Sequence, residues 1–218
     1  MKSIVVMGNA RSGTSMTAGL LSILGVNMGE LPVEEMKDNW VIQNPKGAFE
    51  NPDFIKLTSD MHKDWKNGMG YIFIKEKYEQ RIKETIAANE KTFWGFKSAA
   101  VAPFLNMFVK DMGNPHIVTV IRNVIHNNQS WIIHMRDVFG TNVEFNEALK
   151  NMTENQNIIA KTVVGSPHPN IFVTYEDLKK DPWIETKRLA KFIDVSYEGK
   201  EDEVKEFIMP NYTTLDPS

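Results

Sequence analysis

Four short apolar runs, separated by segments with helical spacing, dominate the distribution of hydrophobic and polar residues in this 218-residue chain. The runs lie at residues 3–7, 93–97, 117–121 and 171–175, and their length is typical of buried strands. Between them, apolar residues recur every three or four positions. The three resulting stripes are Phe54, Leu57, Met61 and Trp65; Tyr78, Ile82 and Ile86; and Val101, Leu105, Phe108 and Val109. Strands that alternate with helices predict an α/β fold in three layers, a parallel sheet flanked by helices.

The segment GNARSGTS at residues 8–15 lies between the first apolar run and a helix-like stretch at residues 16–24. A loop of small residues turns backbone N–H groups inward, and the helix that follows directs its unpaired N–H groups and positive dipole end towards the same point. Such a loop favours a phosphate ligand. Its spacing is similar to the Walker A pattern GxxxxGK(S/T), with Gly8 and Gly13 in register, but Thr14 stands at the lysine position.

The cation of this loop is instead Arg11, which is followed by several hydroxyl side chains. A helix cap explains one hydroxyl, but neither the arginine nor the whole cluster. The pattern xx(R/K)SGT(S/T) resembles the 5′-phosphosulfate loop of sulfotransferases that use 3′-phosphoadenylyl sulfate (PAPS). The resemblance implies a P-loop NTPase-like sulfotransferase fold, PAPS as co-substrate and no metal. It also implies that the 5′ end of PAPS is bound by Arg11, Ser12, Gly13, Thr14 and Ser15.

A PAPS-dependent enzyme needs a second anion site, because PAPS also carries a 3′-phosphate. In the family, an arginine at the end of a strand and a serine eight residues later bind this group, usually in the pattern R(D/N)Px5S. Arg122 follows the third apolar run, and Ser130 lies eight residues further on. A guanidinium offers the planar pair of donors that suits phosphate oxygens. We therefore expect Arg122 and Ser130 to bind the 3′-phosphate, although Val124 stands at the usual proline position.

Three further segments resemble the same family, so the resemblance extends over residues 3–193. They are KGAFENPDF at residues 46–54, similar to GxFENxDF; FWGFK at Phe93–Lys97, similar to WGxK; and YEDLKKDP at residues 175–182, similar to YEDLxxDP. We interpret the acids of the last segment, Glu176 and Asp177, as architectural, because helix starts favour acidic residues. Nothing in the sequence resembles the RKGxxGDW element of cytosolic animal and plant sulfotransferases. The chain therefore looks closer to the bacterial and Golgi-type branches.

The mechanism that this resemblance implies is direct transfer of a sulfuryl group to a hydroxyl or amine. Arg11 and the loop N–H groups would stabilise the negative charge that grows on the departing phosphate. Glu50 is the expected general base, since Golgi-type members use a glutamate downstream of the loop, but a surface acid beside a helix is an equally open interpretation. His62 and His126 are the alternatives. Lys97 would neutralise the sulfuryl oxygens or contact the acceptor, or would be an ordinary edge lysine.

The acceptor itself is expected to be a small molecule or a carbohydrate, and an aromatic side chain could stack on it. Four aromatic residues are candidates, although each could equally belong to the core: Trp40, Phe49, Trp65 and Trp131. A polar helical run at residues 149–164 could flank the acceptor cleft or be a solvated helix. We favour the solvated helix.

Composition narrows the remaining possibilities. With 25 Lys and Arg against 28 Asp and Glu, the net charge of −3 gives little support for general nucleic-acid binding. The sequence contains no cysteine, which excludes disulfides and cysteine-ligated metals. The first apolar run is too short for a signal sequence or a membrane span, so we expect a cytoplasmic protein. The length and the lack of repeats or linkers predict a single domain over residues 1–218.

Two other functions remain open. A small-molecule or nucleotide kinase could use Arg11 in place of the Walker lysine, but it would need a magnesium-binding acid after a strand, and none of the four predicted strands ends in a clear Asp. A non-catalytic nucleotide-binding module could keep the phosphate loop without turnover. The three hypotheses differ in which nucleotide binds and in whether it is consumed.

Overall fold

The structure is a computed structural model that describes residues 2–29 and 48–208. Trp40 and the first two residues of the 46–54 segment lie outside the described residues. The strands are β1 (Lys2–Gly8), β2 (Phe93–Lys97), β3 (Pro115–Ile121) and β4 (Asn170–Thr174). The helices are α1 (Thr14–Ile23), α2 (Pro52–Lys66), α3 (Tyr71–Asn89), α4 (Leu105–Val109), α5 (Val124–Phe139), α6 (Phe145–Val164), α7 (Tyr175–Lys180), α8 (Pro182–Phe192) and α9 (Glu201–Ile208), with a 3-10 turn at Ala102–Phe104.

The four strands form one parallel sheet in the order β2-β1-β3-β4. Val5 of β1 pairs with Phe96 on one side and with Ile117 on the other, which fixes the register. From β1 the chain first moves to β2 and later returns to β3 on the opposite side. The carboxyl ends of β1 and β3 therefore form a topological switch point, which is where ligands bind in open parallel sheets.

Helices pack on both faces of the sheet, so the predicted three-layer α/β fold is confirmed. Alternate residues of β1 enter different cores, as the period of a strand requires. Val5 and Met7 pack with α2, α3, α4 and α6, whereas Ile4 and Val6 pack with α1, α8 and α9. Strands β1, β2 and β3 are covered on both faces, so each is a continuous apolar run rather than an alternating one. The edge strand β4 is partly exposed, with Phe172 43% accessible.

The predicted strands agree with the observed ones to within two residues. Tyr175 is the exception in kind, since it begins α7 instead of ending β4. The hydroxyl of Thr174 accepts a hydrogen bond from the backbone N–H of Asp177. Thr174 is therefore the N-cap of α7, and the helix begins at Tyr175. Helix α1 also begins two residues before the predicted start, directly after Gly13.

The interpretation of residues 149–164 as a solvated helix is wrong for one of its faces. Helix α6 begins at Phe145, and one side of it is buried through Ala148, Met152, Ile159 and Val163. The polar residues near its start lie between these apolar positions, so the average polarity of the segment concealed the buried stripe.

In the described part of the chain, no helix combines the length and the apolar character needed to cross a membrane.

Phe54 provides a test of the core on the α2 side of the sheet. Its ring is fully buried and stacks on Phe96 with centroids 4.1 Å apart. Phe54→Ala should lower the free energy of unfolding by about 3–5 kcal/mol, because it leaves a cavity that the sheet cannot close. Phe73→Ala is the matched control, since the Phe73 ring is 66% exposed, and it should change the value by less than about 0.5 kcal/mol. Equal effects in urea titrations would contradict this packing.

Candidate active site

The loop between β1 and α1 depends on two glycines. At Gly8 a Cβ atom would overlap the backbone oxygen of Val120 in the neighbouring strand. Gly13 has a φ of +100°, and a Cβ there would lie 2.7 Å from the Tyr175 ring. Arg11 also has a left-handed backbone, with φ of 67°, which is uncommon for a residue other than glycine. The loop is therefore compact and strained at the position of its cation.

Two asparagines hold this loop in place, and sequence analysis identified neither. The side-chain amide of Asn127 in α5 donates to the backbone oxygen of Ala10 at 2.7 Å. The amide of Asn9 donates to the backbone oxygen of Met152 in α6 at 3.1 Å. Asn9 lies within the predicted phosphate loop, but the sequence does not indicate what either side chain holds, because their partners are more than a hundred residues away.

The predicted 5′ and 3′ anion sites adjoin one another. Arg122 Nη1 donates to the backbone oxygen of Arg11 at 3.1 Å, and Arg11 Nε lies 3.5 Å from Ser130 Oγ. The Arg122 guanidinium also lies over the Tyr175 ring, 4.2 Å from its centroid. Tyr175 thus contacts both Gly13 and Arg122. Tyr175 begins the YEDL segment, whose acids Glu176 and Asp177 we interpret as architectural, and it contributes its ring to the candidate site.

This region concentrates positive charge. Burial lowers the pKa of Arg11, and Arg122 lowers it further, while Tyr175 acts in the opposite direction. Among residues 2–29 and 48–208, neither guanidinium forms an ion pair with a carboxylate. Two guanidiniums close enough to repel each other are stabilised by a multiply charged anion.

A cavity of about 430 Å³ opens beside Arg122, between the phosphate loop, the end of β3, α6 and β4. Several lining residues carry buried polar atoms that have no hydrogen-bond partner among the described residues: Asn9 Oδ1, Ser12 Oγ, Arg122 Nε and Asn127 Oδ1. Buried polar groups are almost always paired in folded proteins. Their clustering at one cavity therefore makes this cavity the candidate binding site for a polar ligand.

Lys97 and Glu50 meet on the other side of the phosphate loop. Lys97 Nζ lies 2.6 Å from Glu50 Oε1 and donates to Ser15 Oγ at 2.9 Å. The lysine side chain is only 5% exposed, so it is not an edge lysine that extends into solvent. Burial lowers the pKa of Lys97, Glu50 opposes this effect, and Arg11 adds to it. The predicted residues Glu50, Lys97 and Ser15 are thus brought into direct contact.

The backbone at Phe49 is unusual as well. Its φ of 49° is left-handed, which is rare for an aromatic residue and costs roughly 1–3 kcal/mol. Phe49 immediately precedes Glu50, the candidate base. Arg11, whose backbone is also left-handed, is itself a candidate catalytic residue.

The alternative bases lie elsewhere. His62 is on α2, where its ring packs against Trp65 with centroids 5.6 Å apart, and burial followed by Lys66 lowers its pKa. His126 is exposed in the first turn of α5. Within the described residues, neither imidazole forms a hydrogen bond or ion pair with the phosphate loop, Glu50 or Lys97.

The other candidate aromatic residues also serve packing. Trp65 packs edge-on against Phe104, and Trp131 packs against His134. Both are half-buried, so each keeps part of its ring accessible.

His134 is a residue of the site that sequence analysis missed. It lies one helical turn after Ser130 on α5, hence on the same face. Burial and then the Arg11 guanidinium lower its pKa to about 4, with Asp137 acting in the opposite direction. The spacing of four residues from Ser130 was the available signal. At neutral pH the imidazole is uncharged, which avoids adding a third cation.

Among the described residues, no group of three or more His, Asp or Glu side chains could hold a metal ion.

Comparison with known proteins identifies the fold. No protein-family model and no curated protein sequence matches the chain. Among solved structures, a sulfotransferase domain from the curacin biosynthetic pathway matches with a TM-score of 0.56 at 15% identity, over 98% of this chain and 80% of that chain. The sulfotransferase domain of the Synechococcus PCC 7002 olefin synthase matches with a TM-score of 0.57 at 14% identity, over 100% and 81% of the two chains.

The sulfotransferase STF9 from Mycobacterium avium matches with a TM-score of 0.60 at 12% identity, over 98% of this chain and 69% of that chain. At such low identities the similarity concerns the fold. The chain has the P-loop-like sulfotransferase fold, as the motifs predicted.

The low pKa of His134 predicts that acid destabilises the protein. An unfolded chain takes up a proton on this histidine near pH 6.5, whereas the folded state does so only near pH 4. Its contribution to stability is therefore fully present above about pH 6.5 and is lost as the pH falls towards 4.

Urea titrations between pH 7.5 and 4.5 check this expectation. His134→Gln should flatten the loss of unfolding free energy on acidification. His168→Gln, in the loop before β4, should retain the slope of the wild-type protein. An unchanged slope in His134→Gln would assign the acid sensitivity to other groups.

Proposed function

We propose that the protein is a PAPS-dependent sulfotransferase that transfers a sulfuryl group to a hydroxyl or amine and releases adenosine 3′,5′-bisphosphate. The observation that supports this most strongly is the meeting of two motifs from distant parts of the chain. Arg122 donates to the backbone of Arg11, 111 residues away, and Ser130 contacts the Arg11 side chain. A ligand with anionic groups at both its 5′ and 3′ ends matches two adjoining cationic sites.

The residues present fit PAPS at both ends. At the 5′ end, Arg11 and the backbone N–H groups at the start of α1 would bind the phosphosulfate. At the 3′ end, Arg122 would use its unpartnered Nε together with Ser130 Oγ. The adjacent cavity of about 430 Å³ has room for the nucleoside portion of the ligand.

Bound PAPS supplies the sulfuryl group, whose bond to the 5′-phosphate oxygen breaks as a bond to the acceptor oxygen or nitrogen forms. Arg11 and the N–H groups of Ser12 to Ser15 would stabilise the charge that grows on the departing oxygen. Such preorganised donors are usually the largest electrostatic contribution to a reaction of this kind.

Glu50 would accept the proton of the acceptor. Its Oε1 atom contacts Lys97, which in turn contacts Ser15 of the phosphate loop. Lys97 therefore connects the proposed base to the proposed 5′ site and would hold a positive charge beside the sulfuryl oxygens. A positioned general base contributes about 10²–10⁴-fold to a rate.

Nucleotide binding tests the proposed donor. Calorimetric titration without metal should show binding of adenosine 3′,5′-bisphosphate and weaker binding of AMP. Arg122→Ala should lower the affinity for adenosine 3′,5′-bisphosphate by at least about tenfold, because a charge-assisted hydrogen bond contributes roughly 1.5–3 kcal/mol. Arg81 lies on the surface of α3, where it pairs with Asp60 of α2. Arg81→Ala should bind adenosine 3′,5′-bisphosphate as the wild type does. Preference for ATP with magnesium would instead support a kinase, and lack of any nucleotide binding would overturn the proposal.

Substitution of Glu50 tests the proposed base. Once an acceptor is found by screening phenols, alcohols, amines and saccharides with PAPS, Glu50→Gln should lower kcat by about 10²–10⁴-fold. The affinity for adenosine 3′,5′-bisphosphate should change little, since Glu50 faces Lys97 rather than the arginines. Glu84→Gln on the exposed side of α3 serves as the control. Normal turnover by Glu50→Gln would assign the base elsewhere.

A further inference from the structure

The segment FEN at residues 49–51 contains the proposed base, Glu50. The role of Glu50 as a base does not explain the backbone conformation or the packing of Phe49, the residue before it. Phe49 holds a left-handed backbone immediately before Glu50. Its ring packs edge-on against Phe207, with centroids 5.7 Å apart and planes inclined by 73°. A strained residue keeps its conformation only when its surroundings hold it there. Among the described residues, Phe207 on helix α9 supplies an aromatic ring that contacts it.

Phe207 in turn packs directly on α1. Its side chain is buried, and its ring lies so close to Gly19 that a Cβ at this position would overlap three ring atoms. Gly19 is therefore required for α9 to approach α1 at this point. Helix α1 is also the helix whose first turn carries Ser15 of the phosphate loop.

These contacts form a closed path that begins and ends on α1. Ser15 contacts Lys97, and Lys97 pairs with Glu50. Glu50 follows Phe49 in the chain, and the Phe49 ring meets Phe207, which rests on Gly19. Ser15 and Gly19 are one helical turn apart, so both ends of the path lie on one face of α1. Movement of α9 would therefore be transmitted to the backbone that aims Glu50.

We propose that Phe207 is a positioning residue, which holds Phe49 in its left-handed conformation and so keeps the Glu50 carboxylate against Lys97. Its ring contacts Phe49 and packs against α1 at Gly19. This inference rests on the proposed function in one respect, namely that Glu50 is the base. The contact between α9 and the Glu50 segment is a separate matter that can be measured without turnover.

Phe207→Leu is the first test, because leucine preserves an apolar side chain but removes the ring edge. We expect kcat to fall at least fivefold while the KM for PAPS and the affinity for adenosine 3′,5′-bisphosphate stay within twofold of wild type. Gly19→Ala should give the same pattern from the opposite side, by displacing the ring of an unaltered Phe207. Val204→Ala is the matched control, since it removes buried volume from the same helix but leaves the ring contact in place.

The second readout is the pKa of Lys97, measured by NMR of its side chain and assigned with Lys97→Met. Glu50 raises this pKa against the effect of burial, so release of Glu50 in Phe207→Leu should lower it, as Glu50→Gln should. Val204→Ala should leave it unchanged. An unaltered Lys97 pKa in a folded Phe207→Leu protein would overturn the proposal, and so would equal effects of Phe207→Leu and Val204→Ala on kcat. If the wild-type protein does not consume PAPS, the proposed function fails, and the Lys97 measurement still decides this inference.

Discussion

A buried ammonium at the end of β2 imposes the main constraint on this site. Lys97 is almost inaccessible, and a buried charge without a partner is strongly destabilising. Glu50 and Ser15 satisfy it, and in doing so they connect the strand, the segment before α2 and the start of α1. The relative placement of the proposed base and the phosphate loop thus follows from the need to neutralise one lysine.

At the switch point between β1 and β3, by contrast, two positive charges lack a carboxylate partner among the described residues. There Arg11 and Arg122 lie close together without a carboxylate partner among the described residues, so folding brings like charges together. Tyr175 and the backbone oxygen of Arg11 hold the Arg122 guanidinium, and the low pKa of His134 leaves that side chain neutral. This arrangement favours binding of an anion, because an anion would reduce the repulsion between the two guanidiniums.

Much of the fold was predictable because three of its four strands are buried on both faces, while the edge strand β4 is only partly exposed and remains apolar. Each appears in the sequence as a continuous apolar run, and the boundaries were right to within two residues. Prediction failed where the pattern of polar and apolar residues in the sequence did not reflect which side chains are buried in the fold. Tyr175 was assigned to β4, but a cap from Thr174 begins α7 there. Helix α6 was judged by its polar residues, although its buried stripe through Met152 and Ile159 packs on the core beside the cavity.

Features that depend on near neighbours in the chain could be read directly from the residues: the phosphate loop with Gly8 and Gly13, the position of Arg11 within it, and the spacing of Arg122 and Ser130. The loop follows from local backbone geometry, and the pair Arg122 and Ser130 follows from resemblance to the sulfotransferase pattern. Three-dimensional assembly was needed to establish that Glu50 meets Lys97, that Phe49 meets Phe207, and that Arg11 lowers the pKa of His134. Such contacts join residues far apart in the chain, and both packing and pKa depend on distances and burial that exist only after the sheet and its helices have come together.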